Sequence, residues 1–557
     1  MDRKKFIQTT GISLAALFTG NAIAWANGNA GNKLIQMPGK LYAQVNGKTI
    51  LLNTAGHNKW QNGNVMVELI NKTDSVAVQI AAHGVALESI SLEWSIPLST
   101  SSLLLNDQWE RTYGDVLWQK KPVSFFSPWY FLEHNAGNTS CFGVKTGAAA
   151  FCNWLVNAGT VQLVLDTRNG GNGVQLNNRV LQAAEIVVLK SSSNESAFNT
   201  AKRFMKLMCP AARMPKQPVY GINDWYFSYG RNSEALILEH TRLIAPMAEG
   251  LSNRPFSVVD AGWFKGPSFA PDDCCWGNDM KTPNERFPDM LRLVDGIKKE
   301  GMRPGIWTRP LCGSFAAANL TLPLINGREE KKPVLDPSIA ENEATIKDYF
   351  KLYKQWGFEM IKFDFTSFDL FGKWGFQMIA DKAITPAGWN FNDRTKTNAE
   401  IVLNMYKAIR EAAGDTYIIG CNTFSHLSAG LFELNRIGDD TSGKEWARTL
   451  KMGVNTLAFR GIHHNAFYAA DADCVGLTNE VPWDKNKQWM ELVAKSGVPL
   501  FVSAQPAAVH EEQKTAIKEC FALASKTLPL GEPLDWLQNH LPAQWKFGKG
   551  IKKFEWE

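Results

Sequence analysis

Two short stretches of this chain carry residue types at a spacing suited to acid–base and nucleophilic chemistry. In the run Trp356–Ser367, Lys362 and Asp364 stand two positions apart. On a β-strand, residues i and i+2 point to the same side, so the two charges share one face while Phe363 and Phe365 take the other, toward a helix layer. In the run Arg436-Ile-Gly-Asp-Asp-Thr441, an extended chain sets Arg436 and Asp440 on one face and turns Asp439 away. Asp364 and Asp440 are 76 positions apart, so they reach one site only on different strands. Paired carboxylates from different strands are what glycosidic hydrolysis needs: one attacks or activates water and the other protonates the leaving oxygen. Two further strand ends, Asn223-Asp-Trp-Tyr226 and Val259-Asp-Ala-Gly-Trp263, add polar and aromatic side chains. The competing structural readings are a buried Lys362–Asp364 ion pair and an Asp260 that only caps its loop.

The elements that must position these residues follow from periodicity. From Leu34 to Lys190 the pattern alternates with period two, as in Val65, Val67 and Leu69, with turns such as Asn169-Gly-Gly-Asn-Gly173, which predicts an antiparallel β-sandwich. No acidic pair stands out there, so its expected role is to pack against and shape the neighbouring domain. A serine run, Ser191–Ser193, is expected to cap a helix with Phe198, Ala201, Met205 and Met208 on one face, and prolines 210, 215 and 218 mark a boundary. Beyond Pro218, short apolar strands alternate with amphipathic helices. Eight strands are expected: Val219–Trp225, Phe256–Trp263, Arg303–Thr308, Glu359–Phe365, Tyr417–Thr423, Asn435–Asp440, one near Asn465–Ala470, and Pro499–Ala504. Eight is the count of a parallel α/β barrel, whose sites lie at the strands' C-terminal ends. The fold class read from the sequence is therefore multidomain: an N-terminal antiparallel β-sandwich (27–190), a linker helix (191–217), a (β/α)8 TIM-type barrel (218–510), and the last barrel helix with a short C-terminal β extension (511–557).

The chain has 45% hydrophobic and 20% charged residues and a formal charge of +5. That balance is globular, and too weakly basic to argue for nucleic acid or a membrane surface as partner. The first 26 residues combine Arg3, Lys4 and Lys5, an apolar centre Ile12–Phe18 and small residues up to Ala26. They read as a signal peptide, giving an exported protein, periplasmic or secreted, with no membrane span in the mature chain. Nine cysteines lack C-x-x-C or Cys/His spacing, and His463-His464 lacks further ligands, so neither a metal nor an organic cofactor is expected.

Six motifs in order carry a resemblance. Gly221-Ile-Asn-Asp-Trp225, Val259-Asp-Ala-Gly-Trp263, Asn284-Glu-Arg-Phe-Pro288 with Gly301-Met-Arg-Pro-Gly-Ile-Trp307, Lys362-Phe-Asp364, Gly420-Cys-Asn422 and Arg436-Ile-Gly-Asp-Asp-Thr441 resemble the clan of retaining α-glycosidases containing the α-galactosidases, or melibiases, of glycoside hydrolase families 27 and 36. The order of sandwich and barrel is closer to family 36. The resemblance implies Asp364 as nucleophile and Asp440 as general acid and base. It implies Lys362, Arg436 and Asp260 as partners of sugar hydroxyls, Trp225 and Trp263 as an apolar wall, and Asn422 as a further contact. It also implies oligosaccharide or polysaccharide side chains as substrates, with α-galactosyl transfer to another sugar, or silent carbohydrate binding, as the alternative activities. Where the family usually has two adjacent acids, this chain has Asp260 followed by Ala261, which turns attention to related sugars such as a pentopyranose.

Overall fold

A computed structural model describes residues 37–266 and 274–557; the segment 1–26, expected to be a signal peptide, lies outside the described residues. The N-terminal region forms a 14-stranded antiparallel sheet folded on itself into a sandwich-like unit. Its fold line is the long strand Lys48–Gly56, which pairs with Lys40–Val45 on one side and Lys59–Asn62 on the other. Across the fold, Trp154 packs on Phe131 and Phe142 at ring distances of 5.7 and 6.3 Å. The period-two pattern is the cause, since Val65, Val67 and Leu69 are all buried while residues between them are more open.

Helix α1, Ala197–Met208, follows and buries Phe198, Ala201, Met205 and Met208. Its cap is Ser196, which accepts from the Asn199 N–H, rather than any member of the Ser191–Ser193 run. The serine run lies too far upstream for its hydroxyls to meet the free N–H groups of the first turn.

A nine-stranded, all-parallel sheet comes next, made of β1 (Tyr220–Asn223), β2 (Phe256–Val259), β3 (Arg303–Thr308), β4 (Met360–Phe363), β5 (Tyr417–Gly420), β6 (Leu434–Arg436), β7 (Ala469–Asp471), β8 (Cys474–Leu477) and β9 (Leu500–Ala504). Each of β1 to β6 pairs with the next, β6 pairs with β7, and β8 pairs with β9, which pairs back to β1. Only Ala472 and Asp473 separate β7 from β8, and Asp473 has φ +73°. The seventh stave is thus delivered in two halves, and the eight positions curl into a ring of the TIM-barrel type. Most strands are shorter than the sequence predicts: β2 leaves the sheet at Val259, before Asp260, and β4 at Phe363, before Asp364.

Inside the ring, one apolar cluster includes Val258, Met360, Ile419 and Leu434. Two residues further along each of these strands the inward side chain is Asp260, Lys362, Cys421 or Arg436, all buried. Strand parity therefore builds a greasy plug below and a polar rim above. The outward residues behave oppositely: Phe363 packs on Phe350, Tyr406 and Phe432 of the outer layer. After the last helix, Glu511–Ala524, a small sheet of Glu532–Pro533, Gln544–Phe547 and Gly550–Lys553 ends the chain. Among the described residues no helix is long and apolar enough to cross a membrane.

Candidate active site

The polar rim brings Asp260, Lys362, Asp364, Arg436 and Asp440 to one end of the barrel. Lys362 Nζ lies 2.8 Å from Asp260 Oδ2, which also accepts from Asn223 Nδ2 at 2.6 Å. The other oxygen of Asp260 accepts from the Ala261 N–H at 2.8 Å. Burial works against the Lys362 ammonium, but the Asp260 charge outweighs it and raises the lysine well above its ordinary range. The buried ion pair foreseen for Lys362 exists, then, but its partner is Asp260 and not Asp364. Behind it, Asp224 accepts from the Asp260 N–H at 2.7 Å, and burial, aided by the Asp260 charge, pushes the Asp224 carboxyl up to about 6.

Asp364 follows β4 directly. Its Oδ1 accepts from the Phe365 N–H at 2.8 Å, and Trp307 Nε1 on β3 points at Oδ2 from 3.4 Å. Phe365 has φ +63°, a conformation costly for a bulky residue. That turn sends its ring away from the helix layer expected for it and onto the rim, beside Trp307 and Trp374 and under the Arg309 guanidinium, 3.9 Å from the ring centre.

Across the rim, Arg436 Nη2 lies 3.1 Å from Asp440 Oδ1 and 3.0 Å from Asp473 Oδ2. Asp473 also accepts from the Thr441 N–H and hydroxyl and from Tyr226, so it fixes Arg436 from behind. The parity argument for strand six reaches the right pairing although β6 ends at Arg436. Asp439 does turn away, bonding Arg111 and Arg448 at 2.8 Å each. Burial alone would raise the Asp440 carboxyl, but Arg436, Arg111 and Lys362 outweigh it and hold it at about 2. About a third of the Asp440 side chain, 35%, is open to solvent, against 1% for Arg436.

Arg111 was not foreseen. It belongs to the N-terminal unit, whose segment 107–118 enters the barrel mouth, so that unit does more than shape its neighbour. The Thr112 N–H donates to the Ile437 carbonyl at 3.0 Å and the Asp439 N–H donates to the Thr112 carbonyl at 2.8 Å, splicing the segment onto the end of β6. This places Arg111 Nη2 2.8 Å from Asp439 and Nη1 3.6 Å from Asp440. Glu110, fully buried, binds Asn422 Nδ2 at 2.5 Å, the Gly375 N–H at 2.8 Å, and the hydroxyls of Ser367 and Tyr113. The only sequence signal was two adjacent opposite charges, Glu110-Arg111, inside a stretch read as sandwich.

Three expected contacts stand differently from the rest. Trp225 begins a short helix after β1 and stays partly exposed, its ring 5.7 Å from Tyr229. Trp263 is fully buried: its Nε1 donates to the Trp307 carbonyl at 2.8 Å and its ring packs edge-on to Tyr353 and Trp356. It buttresses Trp307 instead of forming a wall, because Gly262 at φ +108° turns the chain inward just before it. Asn422 is also fully buried, with its amide spent on Glu110, Ser367 and the Phe368 N–H, so it holds loops together beneath the site. Among the described residues, no group of His, Cys, Asp and Glu has metal-binding geometry.

A curled parallel barrel behind an antiparallel sandwich-like unit is a fold that this chain shares with solved α-galactosidase structures, some of them of glycoside hydrolase family 36. The α-galactosidase TtGalA from Thermus thermophilus, in complex with p-nitrophenyl α-D-galactopyranoside, matches at TM-score 0.60 and 15% identity over 92% of this chain and 98% of that one. The family 36 α-galactosidase AgaB from Geobacillus stearothermophilus matches at TM-score 0.59 and 13% identity, covering 89% and 76%. The galactosidase domain of the α-galactosidase–sucrose kinase AgaSK matches at TM-score 0.59 and 15% identity, covering 84% and 67%. No protein-family model and no curated protein sequence matches the chain.

Proposed function

We propose that this protein is a retaining α-glycoside hydrolase of the α-galactosidase type, cleaving terminal α-linked galactose or a related sugar by double displacement. The observation that carries the proposal is the placement of Asp364 and Asp440 after β4 and β6 on one rim, with Asp440 held by Arg436 and Arg111 and Asp364 held by the Phe365 N–H and faced by Trp307. In the first step a carboxylate oxygen of Asp364 attacks the anomeric carbon, the bond to the leaving oxygen breaks, and that oxygen takes the proton of Asp440. In the second, Asp440 removes a proton from water, which attacks the same carbon and frees Asp364. Asp440 is ionised in the free protein. A sugar covering its open third excludes water from the carboxyl, which favours the neutral acid required for the first step.

Lys362, Arg436 and Asp260 supply donors and acceptors for ring hydroxyls, and the solved neighbours support such a substrate: TtGalA and a variant of AgaA are seen with stachyose and raffinose. Ala261, buried and apolar, offers no acceptor next to Asp260. A site that lacks a paired polar group discriminates weakly for the hydroxyl that group would bind, so galactosides and the matching pentopyranosides are both substrates in this reading. Export to the periplasm or beyond is part of the proposal.

The test is a panel of aryl α-glycosides, including galactoside, arabinopyranoside and N-acetylgalactosaminide, with D364N and D440N as controls. Each variant is expected to lose about 100-fold or more in kcat. Turnover equal to wild type in either variant overturns the assignment.

A further inference from the structure

Beside Asp440 lies an aromatic surface that the displacement chemistry does not use. Arg111, which touches Asp440, sits with its guanidinium carbon 5.9 Å from the ring centres of both Tyr113 and Trp374. Tyr113 meets Phe376 edge-to-face at 5.0 Å, and Trp374 stacks on Phe368 at 4.5 Å. Trp374 also meets Phe365, the residue after Asp364, at 5.6 Å. The rings therefore run from Phe365, beside the nucleophile, to Trp374 and, across the Arg111 that touches Asp440, to Tyr113 and Phe376, which is 49% exposed.

This surface is held in shape. Tyr113 comes from the N-terminal unit and Phe376 from the helix Gly375–Asp381 after β4, yet buried Glu110 bonds the Tyr113 hydroxyl and the Gly375 N–H together. A Cβ on Gly375 would come within 2.6 Å of Glu110 Cγ, so glycine is what lets the two segments approach. A half-exposed phenylalanine fixed this firmly costs hydration without filling a core, unless something covers it.

We propose that Tyr113, Trp374 and Phe376 form the subsite for the leaving-group sugar, binding a neutral saccharide ring by stacking on its C–H face. The inference rests on Asp440 being the group that protonates the leaving oxygen, because the leaving group must then lie on the Asp440 side, to which Arg111 joins Tyr113 and Trp374. Stacking suits a saccharide because its axial C–H groups present an apolar face to a ring while its hydroxyls stay toward solvent and Arg111.

The experiment compares two substrates with the same galactosyl group, raffinose, whose leaving group is sucrose, and α-galactosyl fluoride, whose leaving group has no ring. The ratio of kcat/KM for raffinose to that for the fluoride is expected to fall about tenfold in F376A and Y113A and to be largely kept in F376Y and Y113F. An unchanged ratio in F376A overturns the subsite. If wild-type protein cleaves neither substrate, the hydrolase reading fails first, and saturation-transfer NMR with free sucrose then decides the subsite. Transfer to sucrose in wild type that is lost in F376A supports it, and no transfer in wild type, or transfer retained in F376A, overturns it.

Discussion

Replacing Arg111 by methionine tests whether the N-terminal unit sets the charge state of the proposed acid. The Arg111–Asp440 separation is 3.6 Å, which corresponds to about 1 kcal/mol of attraction in bulk water and about 4–5 kcal/mol at an effective dielectric of about 20. With a third of the Asp440 side chain open to solvent, screening favours the low end, about 1–2 kcal/mol. At about 1.4 kcal/mol per pKa unit, losing Arg111 raises the Asp440 carboxyl by roughly one unit, from about 2 toward the ordinary range. The sign follows from the chemistry: removing a cation disfavours the carboxylate, so the proton binds at higher pH. The assay is ¹³C NMR of aspartate-labelled protein, with the Asp440 resonance identified by its disappearance in D440N. At pH 3 the wild-type resonance is expected at its carboxylate position and that of R111M near half-titration. Identical positions at pH 3 would refute the claim that Arg111 helps hold Asp440 ionised. Arg448 still pairs with Asp439 at 2.8 Å in the variant, which limits the collateral loss.

Other consequences can be measured by urea or thermal unfolding. Lys362→Met leaves Asp260 charged and buried with only Asn223 and a backbone N–H for company, and a loss of about 3 kcal/mol is expected; an unfolding midpoint equal to wild type would show that the pair contributes nothing. Gly262→Ala puts a side chain at φ +108° with its Cβ 2.4 Å from the Gly230 carbonyl, so a loss of about 2 kcal/mol or more is expected, together with a changed Trp263 fluorescence environment. Burial raises Asp224 and Asp471 to about 6. Between pH 4 and 6 these groups are protonated in the folded chain and ionised in the unfolded one, so stability falls as pH rises through that window. Asp471→Asn should flatten the decline, and an equally steep decline in that variant would exclude Asp471 as a source.

The sequence determined whatever depends on neighbours along the chain. Period-two alternation wrote the sandwich-like sheet, alternating strands and helices wrote the barrel, and parity within strands aimed Lys362 and Arg436 at one rim, with Asp364 and Asp440 just beyond the strand ends. These follow from local geometry, because a strand has only two faces and the core takes the apolar one. Choices made between distant segments were not legible. Lys362 found Asp260 across 102 positions, and no spacing rule states which carboxylate a lysine will meet in a ring of strands. Trp263 and Asn422 went beneath the site instead of lining it, because a left-handed glycine redirected one and buried Glu110 captured the amide of the other. Arg111 reached Asp440 from the N-terminal sheet region, since Thr112 extends the end of β6 by two backbone hydrogen bonds that any sequence can make. Backbone pairing carries no residue code, and a charge brought in by it becomes visible only when the chain is folded.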